Sequence, residues 1–214
     1  MNVLYVFIEE EKHHYILNKY LEIFGGNSDK KFLKYRKWQD AQLSVLGRIL
    51  LKYGLSKYYD INDFKINVSN NGKPFLQDHQ IYFNISHSKN LVVCAISEFP
   101  VGIDVEFSNY GIDYLEFCDQ MTKNELLRIQ ESENHVESFF NYWTEKESLI
   151  KANGMGLQIP LKSFEICNHQ TCISNVKYFI KKLDIHKEYH CCIAAEKDLS
   201  TVFINVKKLN IGEL

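Results

Sequence analysis

Val101-Gly102-Ile103-Asp104-Val105-Glu106-Phe107 is the stretch on which the reading of this 214-residue chain turns. In an extended strand side chains alternate with period 2, so Asp104 and Glu106 share one face while Ile103, Val105 and Phe107 take the other. Two carboxylates this close repel, and a protein interior penalises unpaired charge, so a hard cation such as Mg2+ is the natural partner. Taken alone, such a pair is also commonplace on the solvated side of an edge strand.

The second signal lies about forty residues on, in Trp143-Thr-Glu-Lys-Glu147-Ser-Leu-Ile-Lys151. Residues 138–153 have helical periodicity, with Phe139, Phe140, Trp143, Glu147 and Ile150 on one broad side. Glu147 thus falls within an apolar stripe, where a metal shared with Asp104 and Glu106 would partner its carboxylate. Lys151 follows one turn later. A surface helix bridge to Glu147 is the ordinary reading of that spacing; the functional one sets the ammonium beside a phosphate near the same cation.

No Gly-rich phosphate loop is present, so anion recognition falls to scattered groups. Lys73 in the turn Asn70-Asn-Gly-Lys-Pro74 projects one cation, and Ser86 and His87 follow a strand at 81–85, where it leaves its sheet.

The segments Asn84-Ile-Ser-His87-Ser88, Gly102-Ile-Asp-Val-Glu106 and Trp143–Lys151, in this order, resemble the signature of the single-chain, surfactin-synthetase-activating type of 4'-phosphopantetheinyl transferase. Asn71-Gly-Lys73-Pro74, Asp40-Ala41, Gly47 and Gly154-Met-Gly156-Leu157 agree, so the likeness runs from about residue 30 to residue 165. The resemblance implies transfer of the 4'-phosphopantetheine arm of coenzyme A to a serine of an apo acyl or peptidyl carrier protein, with adenosine 3',5'-bisphosphate released. It implies Mg2+, or Mn2+ in its place, on Asp104, Glu106 and Glu147. It implies coenzyme A on Lys31, Ser44, Lys73, Pro74, Ser86, His87 and Lys151, with Glu147, Lys151 and Asp104 as the catalytic groups. Many relatives carry Arg where Leu43 stands here and a basic residue where Ser28 stands; Lys30, Lys34, Arg36 and Arg48 are the compensating candidates.

The expected fold is α+β, a pseudodimer of two similar halves at 1–107 and 108–214, each a small, mostly antiparallel sheet packed with helices, with the active site between them. The pattern predicts a long helix from Ser28 or Asp29 to about Tyr53. Strands are predicted near 1–9, 64–68, 81–86, 91–97, 101–107, 163–167, 177–184, 189–196 and 201–207, and helices near 111–118, 123–131 and 137–153. Val92–Glu106 resembles Cys191–Lys207, which makes strands 101–107 and 201–207 equivalent and puts Asn205 and Lys207 where the acidic pair stands.

A net charge of −2 argues against a general nucleic-acid binder. The apolar first eight residues lack a basic start and run into three glutamates, so a cytoplasmic monomer without signal peptide or membrane span is expected. Six cysteines without C-x-x-C spacing make zinc an unexpected ligand and read mostly as small buried hydrophobes. Residues 109–130, with Tyr110, Tyr114, Leu115, Phe117, Met121, Lys123 and Arg128, are the expected carrier-docking segment. A metal-dependent phosphodiesterase and a silent coenzyme A- or carrier-binding module are the rival readings.

Overall fold

The computed structural model describes residues 1–25, 32 and 34–214. The N-terminal half runs β1 (Asn2–Phe7), α1 (His13–Phe24), α2 (Trp38–Tyr59), β2 (Lys65–Val68), β3 (Pro74–Gln77), β4 (Tyr82–Ser88) and β5 (Leu91–Ser97). Then follow β6 (Val101–Phe107), a 3-10 segment at Tyr114–Gln120, α3 (Lys123–Gln130), α4 (His135–Asn153), β7 (Gln170–Ile173), β8 (Val176–Lys182), β9 (Tyr189–Ala195) and β10 (Asn205–Lys208).

Alternation along the strands makes the layers. Leu4, Val6, Val92, Cys94 and Ile96 turn one face of the first sheet, ordered β10-β1-β5-β4, onto α2. Val3, Val93 and Ala95 turn the other face onto Val101, Ile103, Val105, Ile193 and Ala195 of the second sheet, ordered β6-β9-β8-β7. The outer face of the second sheet, with Ile180, Cys192 and Ala194, packs on Leu149, Ile150 and Ala152 of α4. Two helices thus enclose two sheets, and both strands of the central layers read as continuous apolar runs because both their faces are covered. The architecture is the expected α+β pseudodimer.

β6 joins the second sheet, pairing antiparallel with β9 so that Asp104 lies opposite Cys192 and Glu106 opposite His190. The acidic pair therefore belongs to the sheet of the C-terminal half, not to that of residues 1–97. β10 crosses the other way and runs parallel beside β1. β1 stands next to the β4-β5 hairpin as β6 stands next to β8-β9. β6 meets its new sheet directly at β9, whereas β1 stands between β10 and β5. Likeness of sequence there reflects two strands that each leave one sheet for the other; Lys207 instead bonds Tyr53 Oη at 3.3 Å.

Other boundaries differ for local reasons. The long helix begins at Trp38, after Lys37 in extended backbone. Cations at Lys34, Arg36 and Lys37 oppose the positive end of a helix dipole, whereas Asp40 in the first turn suits it. The helix continues past Tyr53 because Gly54 and Leu55 are still buried, and stops where Asp60 turns left-handed at φ 54°. The expected caps Ser28 and Asp29 lie outside the described residues. The predicted helix at 111–118 is the 3-10 segment 114–120, and the predicted strand at 163–167 is a 3-10 turn at Leu161–Ser163 followed by β7. α1 and β3 are elements the pattern did not reveal. Of the cysteines, Cys94, Cys191 and Cys192 are buried, but Cys118, Cys167 and Cys172 are exposed. Among the described residues no helix is long and apolar enough to cross a membrane.

Candidate active site

Gly102 fixes the site. A Cβ there would lie 2.1 Å from the carbonyl oxygen of Ser148 and 2.2 Å from the nitrogen of Ala152, so only glycine lets α4 lie directly on β6. That contact brings the last two turns of α4, with Glu147 and Lys151, over the face of β6 that carries Asp104 and Glu106.

The edge of the first sheet completes the site. β4 runs alongside β6, and side chains rather than a backbone ladder join them. The backbone N–H of Ile103 donates to Asn84 Oδ1 at 2.8 Å, Ser86 Oγ donates to Asp104 Oδ1 at 2.9 Å, and Ser88 Oγ donates to Glu106 Oε2 at 2.7 Å. Lys151 Nζ closes the set, donating to Asp104 Oδ1 at 2.6 Å and to Ser86 Oγ at 2.9 Å.

Electrostatics are tense around the carboxylates. Burial holds Asp104 above the ordinary range against the opposing pull of Lys151. Burial likewise pushes Glu106 up to about 7, opposed by the Ser88 hydroxyl and reinforced by the charge of Asp104. Glu147 is raised by burial and then by Asp104, with Lys151 opposing. Asp104 is 3% exposed, and its second oxygen, Oδ2, is buried with no hydrogen-bond partner. Among the described residues no three His, Cys, Asp or Glu side chains already converge on a metal position. The open Oδ2 of Asp104 is nevertheless a buried oxygen donor of the kind a hard cation takes, and burial leaves Asp104, Glu106 and Glu147 short of positive charge.

The cleft above, of about 250 Å³, is lined by Asn71–Pro74, Asn84, Glu147, Ile150, Lys151, Gly154 and Gly156. Lys73 and Pro74 are in its wall, as the turn predicts. Lys73 Nζ donates to the carbonyls of Ala152 at 3.0 Å and Val101 at 3.3 Å, closing the C-terminal turn of α4, and desolvation lowers its pKa to about 8. The Ser-His segment does not leave the sheet: β4 continues through Ser88, so Ser86 and His87 take opposite faces. Ser86 is engaged between Lys151 and Asp104, while partial desolvation, then the Lys151 ammonium, keeps the His87 imidazole below its ordinary range. Ser44 is half-buried in α2. Lys31 and Lys30 lie outside the described residues.

Sequence reading missed Asn84 and Ser88 as individual site groups, although polar residues at 84, 86 and 88 alternate at the spacing of a strand face. It also missed Lys146, fully buried beside Glu147. Its ammonium pairs with Glu125 of α3 at 2.7 Å and donates to the carbonyls of Leu161, at 2.8 Å, and Phe164. Glu125 is also the N3 residue of the capping box that Thr122 opens at the start of α3, so one pair ties α4 to its neighbour.

Two family profiles match the chain and meet between residues 99 and 100. The 4'-phosphopantetheinyl transferase superfamily profile matches residues 100–194, and the profile described as 4'-phosphopantetheinyl transferase, N-terminal, matches residues 13–99. The 4'-phosphopantetheinyl transferase gsp of Aneurinibacillus migulanus is 37% identical over 222 residues, covering 100% of this chain and 93% of the relative. The 4'-phosphopantetheinyl transferase Sfp of Bacillus subtilis (strain 168) is 30% identical over 156 residues, covering 71% and 70%. HetI of Nostoc, likewise a 4'-phosphopantetheinyl transferase, is 34% identical over 130 residues, covering 56% and 54%. With full-length identity of this order and the acidic strand, seam and catalytic helix assembled at one cleft, this chain belongs to the 4'-phosphopantetheinyl transferase family.

Proposed function

We propose that this enzyme transfers the 4'-phosphopantetheine arm of coenzyme A to a serine hydroxyl of an apo acyl or peptidyl carrier protein. The observation that carries the reading is the bridge of Lys151 to Ser86 and Asp104, with Lys151 and Glu147 of the same helix both in the cleft wall. Coenzyme A would lie with its pyrophosphate towards Lys151 and Lys73, and Pro74 against its body. His87, Ser44 and Lys31 are proposed to extend the contacts towards the nucleotide. Asp104, Glu106 and Glu147 would hold Mg2+, or Mn2+ in its place, which when bound supplies charge neutralisation on the pyrophosphate.

The serine oxygen forms a bond to the β-phosphorus as the bond to the leaving phosphate breaks, releasing adenosine 3',5'-bisphosphate. Glu147 is the proposed acceptor of the serine proton, a role suited by a carboxylate whose proton affinity burial raises, with Asp104 the alternative. Lys151 stabilises the departing oxygen. Tyr110, Leu115 and Leu127 expose apolar surface along residues 109–130, where the carrier is proposed to dock. One chain supplies both halves of the pseudodimer and its cysteines are free, which supports a monomer working in the cytoplasm. Incubation with coenzyme A, Mg2+ and an apo carrier, followed by intact mass, tests the proposal. A carrier heavier by one phosphopantetheinyl group is expected; free adenosine 3',5'-bisphosphate with an unmodified carrier refutes it.

A further inference from the structure

Asn84 has no part in the mechanism above, yet it is a buried polar residue, 7% exposed, that faces both the β4–β6 seam and the cleft. The N–H of Ile103 can only donate, so the amide oxygen must be the atom that meets it, at 2.8 Å. That fixes the orientation of the whole group: with Oδ1 held at the seam, Nδ2 is turned away from it, and among the described residues it donates to nothing. Asn84 lines the wall that also carries Lys73 and Lys151, so the two N–H donors of Nδ2 are available there. Neutral donors between two cations suit an anionic oxygen; a hydrophobic group would gain nothing from them.

We propose that Asn84 is a coenzyme A-binding residue whose Nδ2 donates to a phosphate oxygen, while its Oδ1 holds the two sheets in register. The inference rests on the transferase reading of this cleft. The two roles use different atoms of one side chain, and Asn84→Asp separates them: the acceptor for Ile103 is kept, and the donor becomes an acceptor facing phosphate.

The test is calorimetric titration of coenzyme A with Mg2+ into wild type and Asn84→Asp, alongside thermal melts and a carrier-modification assay of wild type. The expected result is a thermal midpoint close to wild type with coenzyme A bound about tenfold more weakly or worse. Affinity within about threefold of wild type would overturn the proposal. If Asn84→Asp does not fold, the side-chain amide resonance of Asn84 in 15N-labelled wild type decides: a shift on saturation with coenzyme A supports the contact, and an unmoved resonance overturns it. Wild type that binds coenzyme A but modifies no carrier sinks the transferase reading alone, and the titration still judges Asn84.

Discussion

Lys151 Nζ stands 2.6 Å from Asp104 Oδ1, and Ser86 Oγ is 2.9 Å from both. A helix of the second half, a strand of its sheet and the edge strand of the first sheet meet in that triangle, so any loosening between the halves reaches the groups proposed to do the chemistry.

Ser86→Ala should therefore act on turnover more than on nucleotide affinity. Loss of a hydrogen bond to charged groups is expected to lower kcat about tenfold, with KM for coenzyme A little changed. Steady-state kinetics with a fixed carrier checks this; a variant that raises KM alone would return Ser86 to simple phosphate binding.

Asp104→Ala and Glu147→Gln should each cost about 10²–10³ in kcat, the scale of losing a preorganised electrostatic group. Their melting temperatures should not fall, because each removes a carboxylate whose charge burial disfavours. Near-normal turnover at saturating Mg2+ in either variant would remove that residue from the site.

Gly102→Ala is expected to be the most damaging single methyl in the protein. The added carbon meets backbone of α4, which cannot rotate away as a side chain would, so destabilisation at the upper end of the roughly 1–3 kcal/mol seen for overpacking is expected. Activity should fall with it, since Glu147 and Lys151 ride on the displaced turns. Chemical denaturation with a parallel rate measurement reads both.

Lys146→Met should destabilise by about 3–5 kcal/mol by stranding the buried Glu125 carboxylate. The double variant Lys146→Met/Glu125→Gln should recover much of that loss, and a double variant no better than the single one would show that the carbonyl contacts of Lys146, not the ion pair, carry the effect.

Lys73 gives a dependence on pH. Its pKa is about 8 folded, against the ordinary 10.5 unfolded. Below 8 both states hold the proton and pH has no leverage through this group. Between 8 and 10.5 the unfolded chain retains a proton that the folded one has released, so this group makes stability rise with pH across that window. Denaturation curves of wild type and Lys73→Met should converge or diverge steadily from pH 8 to 10, with wild type gaining; parallel curves would contradict the shift.

The acidic strand was legible because alternation is a property of local backbone: Ile103 and Val105 do enter the inter-sheet core while Asp104 and Glu106 take the other face. The catalytic helix was legible for the same reason, through spacings of three and four. Partners of strands were not. Nothing local in Val101–Phe107 tells whether it pairs with β5 or with β9, and the choice is made by Gly102 against α4, more than forty residues away. Lys146 was invisible by the opposite route. A lysine beside two glutamates in a helix reads as surface, and only the carbonyls of Leu161 and Phe164 with Glu125 make its burial tolerable.

β10 lies parallel to β1, with Asn2 opposite Asn205 and Tyr5 opposite Lys208. Synthesis runs from the N-terminal side, so β1 is made long before β10 and its outer edge stays uncovered until β10 emerges. During synthesis that edge is exposed next to an already apolar sheet, a template for pairing with a neighbouring chain. The demand on this enzyme is therefore timing: the open edge of β1 should need chaperones, or dilution, until β10 arrives to cover it.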